Sequence, residues 1–328
     1  MKLAAALGIV YVVWGSTYLA IAVADRTLPP MLMLSARFLL AGALLYAWAS
    51  RRGEVAAERP GLRQWRAAAI VGGALLVVDT GGVAWAVQRV PSGTAALLVA
   101  SVPLFMALID RTCFGIRIPV GAAVGIATGL LGVAILVGPS GRVDAVGGAV
   151  LLVASFAWAA GSAYARVAPL PTRPLVGAAM QMLCAGVGLA VVGISMGELG
   201  RVHLSAVSGA SIFAFAFLVV AGSLVAFTAY GWLLKNASTT LVSTYAYVNP
   251  AVAVFLGWAF VGEHVGGREF AAGAVILSSV AMLMLARGAR EEAAAIPESL
   301  PAYIRSKDAQ LTEFRPAPRL AELYRMSA

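Results

Sequence analysis

Long apolar runs, separated by short polar stretches, fill the chain from residue 4 to residue 287. Each run is about 20 residues long, the length that a helix needs to cross the hydrocarbon core of a bilayer. We predict helices because a backbone surrounded by lipid must satisfy its own hydrogen bonds. The ten predicted spans are residues 4–24, 30–50, 67–88, 92–110, 119–138, 146–166, 174–196, 210–233, 238–260 and 269–287.

The same residues occur twice along this pattern. Gly-Ser-Thr-Tyr at 15–18 corresponds to Gly-Ser-Ala-Tyr at 161–164, 146 positions later, and Pro103 corresponds to Pro250 at an offset of 147. Further pairs at the offset of 147 are Trp85 with Trp232 and Gly115 with Gly262. Each copy holds five predicted spans, so the second copy inserts upside down relative to the first. We therefore predict an all-α membrane protein whose ten transmembrane helices form two inverted five-helix repeats, an arrangement that builds a midplane site in many secondary transporters.

The predicted boundaries are 1–140 for the first repeat, 141–288 for the second repeat and 289–328 for a polar cytoplasmic tail. For the tail, a short surface helix and solvated disorder both stay open. The N-terminal segment also resembles a secretory signal peptide, with Lys2 before an apolar stretch and a cleavage-like Ala-Val-Ala at 22–24. We retain it as the first span, because cleavage would leave nine spans and break the repeat.

Composition excludes a soluble domain. Hydrophobic residues make up 61% of the chain and charged residues 12%, and the mean hydropathy is +0.88. The net charge of +9 comes from Lys and Arg between apolar runs, which indicates topology signals rather than nucleic-acid binding. With the N-terminus inside, eleven basic residues before residue 287 lie on the cytoplasmic side and five on the opposite side. This bias predicts a multi-pass protein of the cytoplasmic membrane with both termini in the cytoplasm.

No enzyme motif is present. His203 and His264 fall in outer loops or at span ends, without zinc-binding spacing, and we expect no enzyme activity and no cofactor. Cys113 and Cys184 have neither metal nor redox spacing, and we expect no disulfide. Glycines 121, 125 and 129 form a ridge that packs either an internal neighbour or a second protomer, so we expect a monomer or a weak dimer.

Two charged residues lie inside predicted spans, where charge is costly and usually faces a partner or a cavity. Asp79 and Arg37 fall at similar depths, about 10–14 Å below the outer boundary by the helical rise. We hypothesise that they pair, and that Asp79 is a proton site or a substrate anchor. Alternatively, Arg37 snorkels or binds backbone carbonyls, and Asp79 is a locally satisfied packing residue.

The ninth span has an unusual density of hydrogen-bonding groups, including Tyr245, Tyr247 and Asn249. Pro250 removes a backbone donor and frees a carbonyl one turn back. This pattern favours a kink, a cavity wall, or both. Ser101 and Pro103 form a weaker version of it in the fourth span.

The first and sixth spans place aromatic residues beside a small Gly-Ser step, which suits either a close helix crossing or a ring facing a cavity. Taken together, these patterns give a set of predicted substrate-binding residues. They are Trp14, Ser16, Tyr18, Asp79, Ser101, Trp158, Ser162, Tyr164, Tyr245, Tyr247 and Asn249.

These motifs, in this order, resemble the EamA-type permeases of the drug/metabolite transporter superfamily over residues 4–287. The matching elements are Trp-Gly-Ser-Thr-Tyr at 14–18, Arg-Phe at 37–38, Val-Pro-Ser-Gly at 90–93, Ser-Val-Pro at 101–103, and the stretch from Tyr245 through Asn-Pro at 249–250 to Gly-Glu at 262–263. The resemblance implies a secondary transporter, often an exporter of amino acids or related metabolites, with a central cavity lined mainly by spans 1, 3, 4, 6, 8 and 9.

The chain departs from the family pattern at two places. Many members end the fourth span of both repeats with Gly-Glu, but the first copy here reads Gly115-Ile116. We interpret the remaining Glu263 as a cap or a helix-end contact. Asp79 is not expected across the family, which makes its role a question about this branch.

We therefore predict a transporter of small organic solutes in a lipid bilayer, with protons as a candidate coupling ion and no nucleic-acid partner. Aromatic, hydroxyl and amide groups suit amino acids or amphipathic drugs. The alternatives are a drug exporter of broad specificity and, from another class, a membrane sensor or structural protein. An intramembrane enzyme would need a catalytic pair in facing spans, and Asp79 alone offers itself.

Overall fold

The computed structural model describes residues 3–115, 118, 120–137, 144–237 and 244–294. Every regular element within these residues is helical, which confirms the all-α prediction. The helices are α1 (Leu3–Ala24), α2 (Pro30–Arg51), α3 (Glu54–Glu58), α4 (Leu62–Gly72, Gly73–Thr80 and Gly81–Ala86), α5 (Ser92–Val99), α6 (Val102–Phe114), α7 (Val120–Val137), α8 (Ala145–Ala165), α9 (Pro174–Ser195), α10 (Gly209–Phe217, Leu218–Val225 and Ala226–Asn236), α11 (Tyr245–Val261) and α12 (Gly267–Ala294). Two short 3₁₀ turns, Glu198–Arg201 and Leu204–Ala206, follow α9.

Many of these helices have the length and apolarity of membrane spans. Seven of the described helical stretches meet both conditions: Leu3–Ala24, Pro30–Arg51, Leu62–Ala86, Ser92–Phe114, Ala145–Ala165, Pro174–Ser195 and Gly209–Tyr230. Shorter apolar helices occupy Val120–Leu136 and Val248–Val261. The outer surface is also apolar, since Phe213, Phe260 and Phe270 are exposed. Extensive exposed apolar surface of this kind suits contact with lipid.

The third span begins at Leu62 rather than at the predicted residue 67, and three further spans also differ from the prediction. The fourth span is not continuous, because Ala100 and Ser101 separate α5 from α6 and Pro103 cannot donate to the turn before it. The ninth predicted span corresponds to α11, which begins at Tyr245. Residues 238–243 of the prediction lie outside the described part of the chain. The last helix continues to Ala294, and the predicted tail beyond it also lies outside the described residues.

Two helices contain a π-helical segment at corresponding places in the two halves. These segments are Gly73–Thr80 in α4 and Leu218–Val225 in α10. The hydroxyl of Thr80 donates to the carbonyl of Leu75 at 3.2 Å, within the widened turn. A π segment shifts the angular positions of the residues around it and often occurs at functional sites.

The repeated glycines end corresponding helices. Gly115 caps α6 with a φ of 66°, and Gly262 caps α11 with a φ of 69°. This left-handed conformation is strained for residues with a Cβ atom, so glycine is the usual choice at a helix C-terminus. The repetition of Gly115 as Gly262 therefore has a local structural cause.

Helix packing is reciprocal between the two halves. Helix α1 packs against α10 and α11, and α8 packs in the same way against α4 and the α5–α6 pair. Helix α2 packs extensively on α9, and α7 packs extensively on α12. The predicted glycine ridge serves this internal packing at Gly129, where an added Cβ would lie 2.6 Å from both Leu104 and Ser279.

Contacts between loops and helix ends define two faces. We call the face at which α1 begins the first face and the opposite face the second face. On the first face, the carboxylate of Glu58 accepts hydrogen bonds of 2.8 Å from the backbone N–H and the hydroxyl of Thr172. On the second face, Glu198 accepts a bond of 2.9 Å from the backbone N–H of Leu32, near the start of α2.

Candidate functional site

A cavity of about 580 Å³ lies between the two halves. Its walls come from α1, α2, α4, α5, α6, α8, α9, α10 and α11. Its deep end lies at Ile21 and Val83, and its other end reaches Arg166 and the loop residues Leu170 and Pro171 on the first face. This volume lies in the range of small-molecule sites.

One wall of the cavity is aromatic. The ring of Trp14 lies 5.5 Å from Phe227, 5.0 Å from Tyr230 and 5.4 Å from Tyr245, measured between centroids. The pairs with Phe227 and Tyr245 are edge-to-face, an arrangement that the charge distribution of aromatic rings favours. The Trp14 indole also donates to the carbonyl of Gly222 at 3.3 Å, which fixes its orientation. The result is a rigid surface that can pack against an apolar solute.

Asp79 lines the cavity from the π-helical segment of α4. It is 5% exposed, and its Oδ1 atom has no hydrogen-bond partner among the described residues. Burying a carboxylate without a partner is costly. The alternative of a locally satisfied packing residue therefore does not fit Asp79.

Arg37 lines the same cavity from α2. It is 4% exposed, and its Nε atom donates to Oγ of Ser223 at 2.9 Å. Its Nη1 atom has no hydrogen-bond partner in the described structure. The guanidinium also lies 4.8 Å from the centroid of the Phe38 ring, so Arg37 is directed inward rather than toward a membrane surface.

The hypothesis that Arg37 and Asp79 pair is wrong. The ion pairs found among the described residues are Arg52 with Glu54 and Arg166 with Asp110. Arg37 instead extends to the π-helical segment of α10, where Ser223 accepts its hydrogen bond. The two residues lie at similar depth and line one cavity. Depth estimated from the sequence does not determine the direction in which either side chain points.

The repeated prolines affect the cavity wall in the same way in both halves. Pro103 and Pro250 lack the N–H that would bond the carbonyl four residues earlier. Those carbonyls belong to Val99 and Ala246, which are themselves related by the offset of 147, and both residues line the cavity. The repeat thus places a proline on the cavity wall in each half, Pro103 in the first and Pro250 in the second.

The structure brings seven of the predicted substrate-binding residues to the cavity wall. They are Trp14, Tyr18, Asp79, Trp158, Ser162, Tyr245 and Asn249. Within this group, Asn249 is buried and its Oδ1 atom has no hydrogen-bond partner among the described residues. Whether these residues bind a solute stays a prediction.

Three other predicted residues are not on the wall. Ser16 donates to the carbonyl of Val12 at 2.6 Å, within its own helix. Ser101 is buried in the break between α5 and α6, behind the wall residues on either side of it. Tyr164 follows Ser162 by two positions and so points to a different side of α8. The side chain of Tyr247 lies outside the described residues.

The Gly-Ser step of α1 supports both alternatives that the sequence left open. A Cβ added to Gly15 would lie 2.7 Å from Cβ of Val252 and 3.0 Å from the carbonyl oxygen of Asn249, so α1 and α11 cross closely there. The neighbouring Trp14 and Tyr18 nevertheless face the cavity. The glycine is the crossing point, and the aromatic residues beside it form the wall.

Sequence reasoning missed several wall residues, including Phe227, Tyr230 and Gln181. Phe227 and Tyr230 are three positions apart and therefore share one face of α10. This spacing was a usable signal, and the resemblance already implied that the eighth span lines the cavity. The side chain of Gln181 occupies the position that corresponds to Arg37 in the other half.

Glu263 follows the C-terminus of α11 and contacts the other half of the chain. Its carboxylate accepts bonds of 2.8 Å from the N–H and the hydroxyl of Ser92, and one of 3.1 Å from the N–H of Gly93. These donors are the first residues of α5, so Glu263 caps that helix. Its negative charge also interacts favourably with the positive end of the helix dipole. The interpretation of Glu263 as a cap is confirmed.

Other acidic groups lie at the faces. On the first face, Arg166 at the cavity mouth pairs with Asp110, and hydrogen bonds from Thr172 hold the pKa of Glu58 below its usual range. On the second face, burial and the nearby charge of Glu198 raise the pKa of Asp25 to about 8. In the described part of the chain, no three His, Cys, Asp or Glu side chains come together as a metal site.

Comparison with known proteins places this geometry in a family. The EamA-like transporter family matches the chain twice, over residues 2–138 and 146–285. The chain is 40% identical over 291 residues to YedA, an uncharacterized inner membrane transporter of Escherichia coli K12, covering 88% of this chain and 92% of that protein. It is 23% identical over 283 residues to a chloroplastic WAT1-related protein of Arabidopsis thaliana, covering 84% of this chain and 67% of that protein.

A solved structure has the same fold. One crystal structure matches 86% of this chain and 99% of its own chain, with a TM-score of 0.62 and 22% sequence identity. The two family matches cover almost all of the described helices, and the helices that line the cavity fall within them. The chain is a multi-pass membrane transporter and belongs to the EamA-like transporter family.

Proposed function

We propose that this protein is a secondary transporter that exports small organic solutes, such as amino acids or related metabolites, by alternating access. The observation that carries the proposal is the cavity between the two halves, lined by aromatic rings and by the buried side chains of Arg37 and Asp79. A small number of polar groups in a largely apolar cavity is typical of sites that bind and orient a small molecule.

The proposed architecture is ten spans in two inverted five-helix repeats. Beyond the seven long apolar stretches, the proposal takes α7, α11 and α12 as the remaining spans. Reciprocal packing supports the repeat, since α1 contacts α10 and α11 as α8 contacts α4 and α5–α6. The paired π segments and paired prolines support it further. Rocking one repeat against the other would expose the cavity to each face in turn.

The proposed direction follows from charge and cavity shape. The excess of Lys and Arg on the first face favours that face as cytoplasmic, with both termini there. The cavity reaches this face at Arg166, Leu170 and Pro171. A solute would then enter from the cytoplasm, as export requires.

A drug exporter of broad specificity is the second candidate. The observation that favours it is the predominance of aromatic and aliphatic residues on the wall, including Phe38, Met106 and Phe227. Such a protein would accept cations and neutral amphipathic compounds alike. A sensor or structural protein would need no cavity of this size between its halves.

Solute flux in proteoliposomes tests the proposal. We expect saturable counterflow of a labelled solute from a panel of amino acids, analogues and amphipathic drugs, absent from protein-free vesicles. An imposed pH gradient, with and without an ionophore that dissipates it, tests protons as the coupling ion. Absence of saturable flux for every member of the panel would contradict the transporter proposal.

A further inference from the structure

One basic and one acidic side chain line the cavity, and among the described residues neither forms an ion pair. Arg37 and Asp79 are 4% and 5% exposed, and no N···O distance between them is within 4.0 Å. Nη1 of Arg37 and Oδ1 of Asp79 are both buried and have no hydrogen-bond partner among the described residues. Both residues line the same cavity.

Leaving such groups unpaired in a low-dielectric site is unfavourable, whereas a ligand of opposite charge gains strongly from meeting them. A guanidinium fork matches the geometry of a carboxylate. A carboxylate matches the donors of an ammonium group. Both groups line one cavity and do not pair with each other, so the cavity offers a solute one cationic and one anionic side chain.

The rest of the wall sets the requirement for the body of the solute. Trp14, Phe227 and Tyr230 supply ring surface, and their mutual contacts hold them rigid. Apolar surface of this kind favours an aliphatic or aromatic side chain.

We propose that Arg37 and Asp79 determine specificity by binding the two ends of a dipolar solute, the carboxylate at Arg37 and the ammonium at Asp79. This assignment rests on the proposed transport function and restricts it to zwitterionic solutes with one apolar side chain. The asymmetry of the repeat fits this role, because Gln181 and Ala226 occupy the corresponding positions in the other half. In this proposal the two repeats form the moving scaffold, and the two residues that differ between them bind the solute.

Charge-deleted analogues test the assignment with the full chain in proteoliposomes. The probe is labelled L-leucine in counterflow at about pH 6.5, where its α-amino group is charged. The competitors are unlabelled leucine, leucinamide, which lacks the carboxylate, and N-acetyl-leucine, which lacks the ammonium. Loss of one charge-assisted interaction should weaken competition by about tenfold or more. We expect both analogues to compete that much more weakly than leucine.

Variants assign each charge to its residue. In Arg37→Gln, the preference for leucine over leucinamide should fall by about tenfold or more, while the preference over N-acetyl-leucine stays. In Asp79→Asn, the preference for leucine over N-acetyl-leucine should fall by about tenfold or more, while the preference over leucinamide stays. Arg37→Lys should restore part of the first preference, because it keeps the charge without the fork. Arg89→Gln is the matched control, since Arg89 is exposed, stacks on Trp85 and does not line the cavity.

Three outcomes overturn the assignment. The first is equal competition by leucine and both analogues in the unsubstituted protein. The second is an equal loss of competition by leucine, leucinamide and N-acetyl-leucine in both variants, which is the result expected if Arg37 and Asp79 have only a structural role. The third is saturable flux of another solute with no response to leucine, and in that case transport itself stands. If a variant is not monodisperse, ligand-induced thermal shifts of the unsubstituted protein with the three compounds decide the charge requirement.

Discussion

Nε of Arg37 lies 2.9 Å from Oγ of Ser223, and this hydrogen bond joins α2 to the π-helical segment of α10. The bond holds the guanidinium at the cavity wall, while Nη1 has no partner in the described part of the chain. It also explains why Asp79, at a similar depth, does not form an ion pair with Arg37. The two side chains stay separate at the cavity wall, and the proposed binding of a dipolar solute depends on that separation.

Asp79→Asn tests the role of the carboxylate in coupling. If Asp79 carries a proton or a cationic group during transport, its amide should lower flux by about tenfold and abolish the dependence of flux on pH. Initial rates of counterflow and of gradient-driven flux, measured across a pH series, check this expectation.

The matched control for this variant is Asp144→Asn. Asp144 accepts a bond of 2.7 Å from the N–H of Gly147 as the N-cap of α8, and asparagine caps helices about as well as aspartate. This control should therefore keep normal flux. A normal pH profile in Asp79→Asn would remove Asp79 from coupling, whatever its effect on affinity.

Gly15→Ala tests the close crossing of α1 and α11. The added Cβ would lie 2.7 Å from Cβ of Val252, a distance that forces the helices apart, and overpacking of this kind costs about 1–3 kcal/mol. We expect a lower thermal unfolding temperature in detergent and reduced flux. Val252→Gly in the same chain should restore part of the loss by clearing the contact.

Gly8→Ala is the control on the same helix. An added Cβ there meets nothing within 4 Å, and alanine favours a helix over glycine by about 0.5–1 kcal/mol. The two substitutions should therefore shift stability in opposite directions. Equal effects would mean that the α1–α11 crossing tolerates a larger separation than the structure has.

The helical fold and part of the cavity wall could be predicted from the sequence, because both depend on local patterns. Apolar runs of membrane length predict helices, and Trp14, Tyr245 and Asn249 stood out as polar or aromatic groups within them. Repetition of Gly115 as Gly262 marked two helix ends that need a positive φ. These features depend on residues close together in the chain.

Features that depend on packing between distant segments could not be predicted in the same way. The Arg37–Ser223 bond joins residues 186 positions apart, and no local pattern selects Ser223 over other hydroxyls. The break at Ser101 and the π turn around Asp79 change which side of a helix faces the cavity. Depth can be estimated from the helical rise, but direction depends on these irregularities.

Glu263→Ala tests the cap that joins the second half to the first. The substitution removes the acceptor for Ser92 and Gly93, and loss of a charged helix cap costs about 1–2 kcal/mol. We expect a lower unfolding temperature in detergent, as measured by intrinsic fluorescence. His264→Ala is the neighbouring control, because His264 is exposed. If both variants unfold at the same temperature, the cap contributes nothing to stability.

Asp25→Asn tests the buried carboxyl that follows α1. Burial, together with the charge of Glu198, raises the pKa of Asp25 to about 8, and neither of its carboxylate oxygens has a hydrogen-bond partner among the described residues. In the unfolded chain the pKa of Asp is about 3.9, so between about pH 4 and pH 8 the folded state holds a proton that the unfolded state has lost. The contribution of the protonated group to stability is complete below about pH 4 and is lost as the pH rises through about 8.

The neutral asparagine avoids this loss. We therefore expect the unfolding temperature of Asp25→Asn to match the unsubstituted protein near pH 4 and to exceed it by a widening margin up to about pH 8. A constant difference across that range would show that Asp25 ionises in the folded protein much as it does in the unfolded chain.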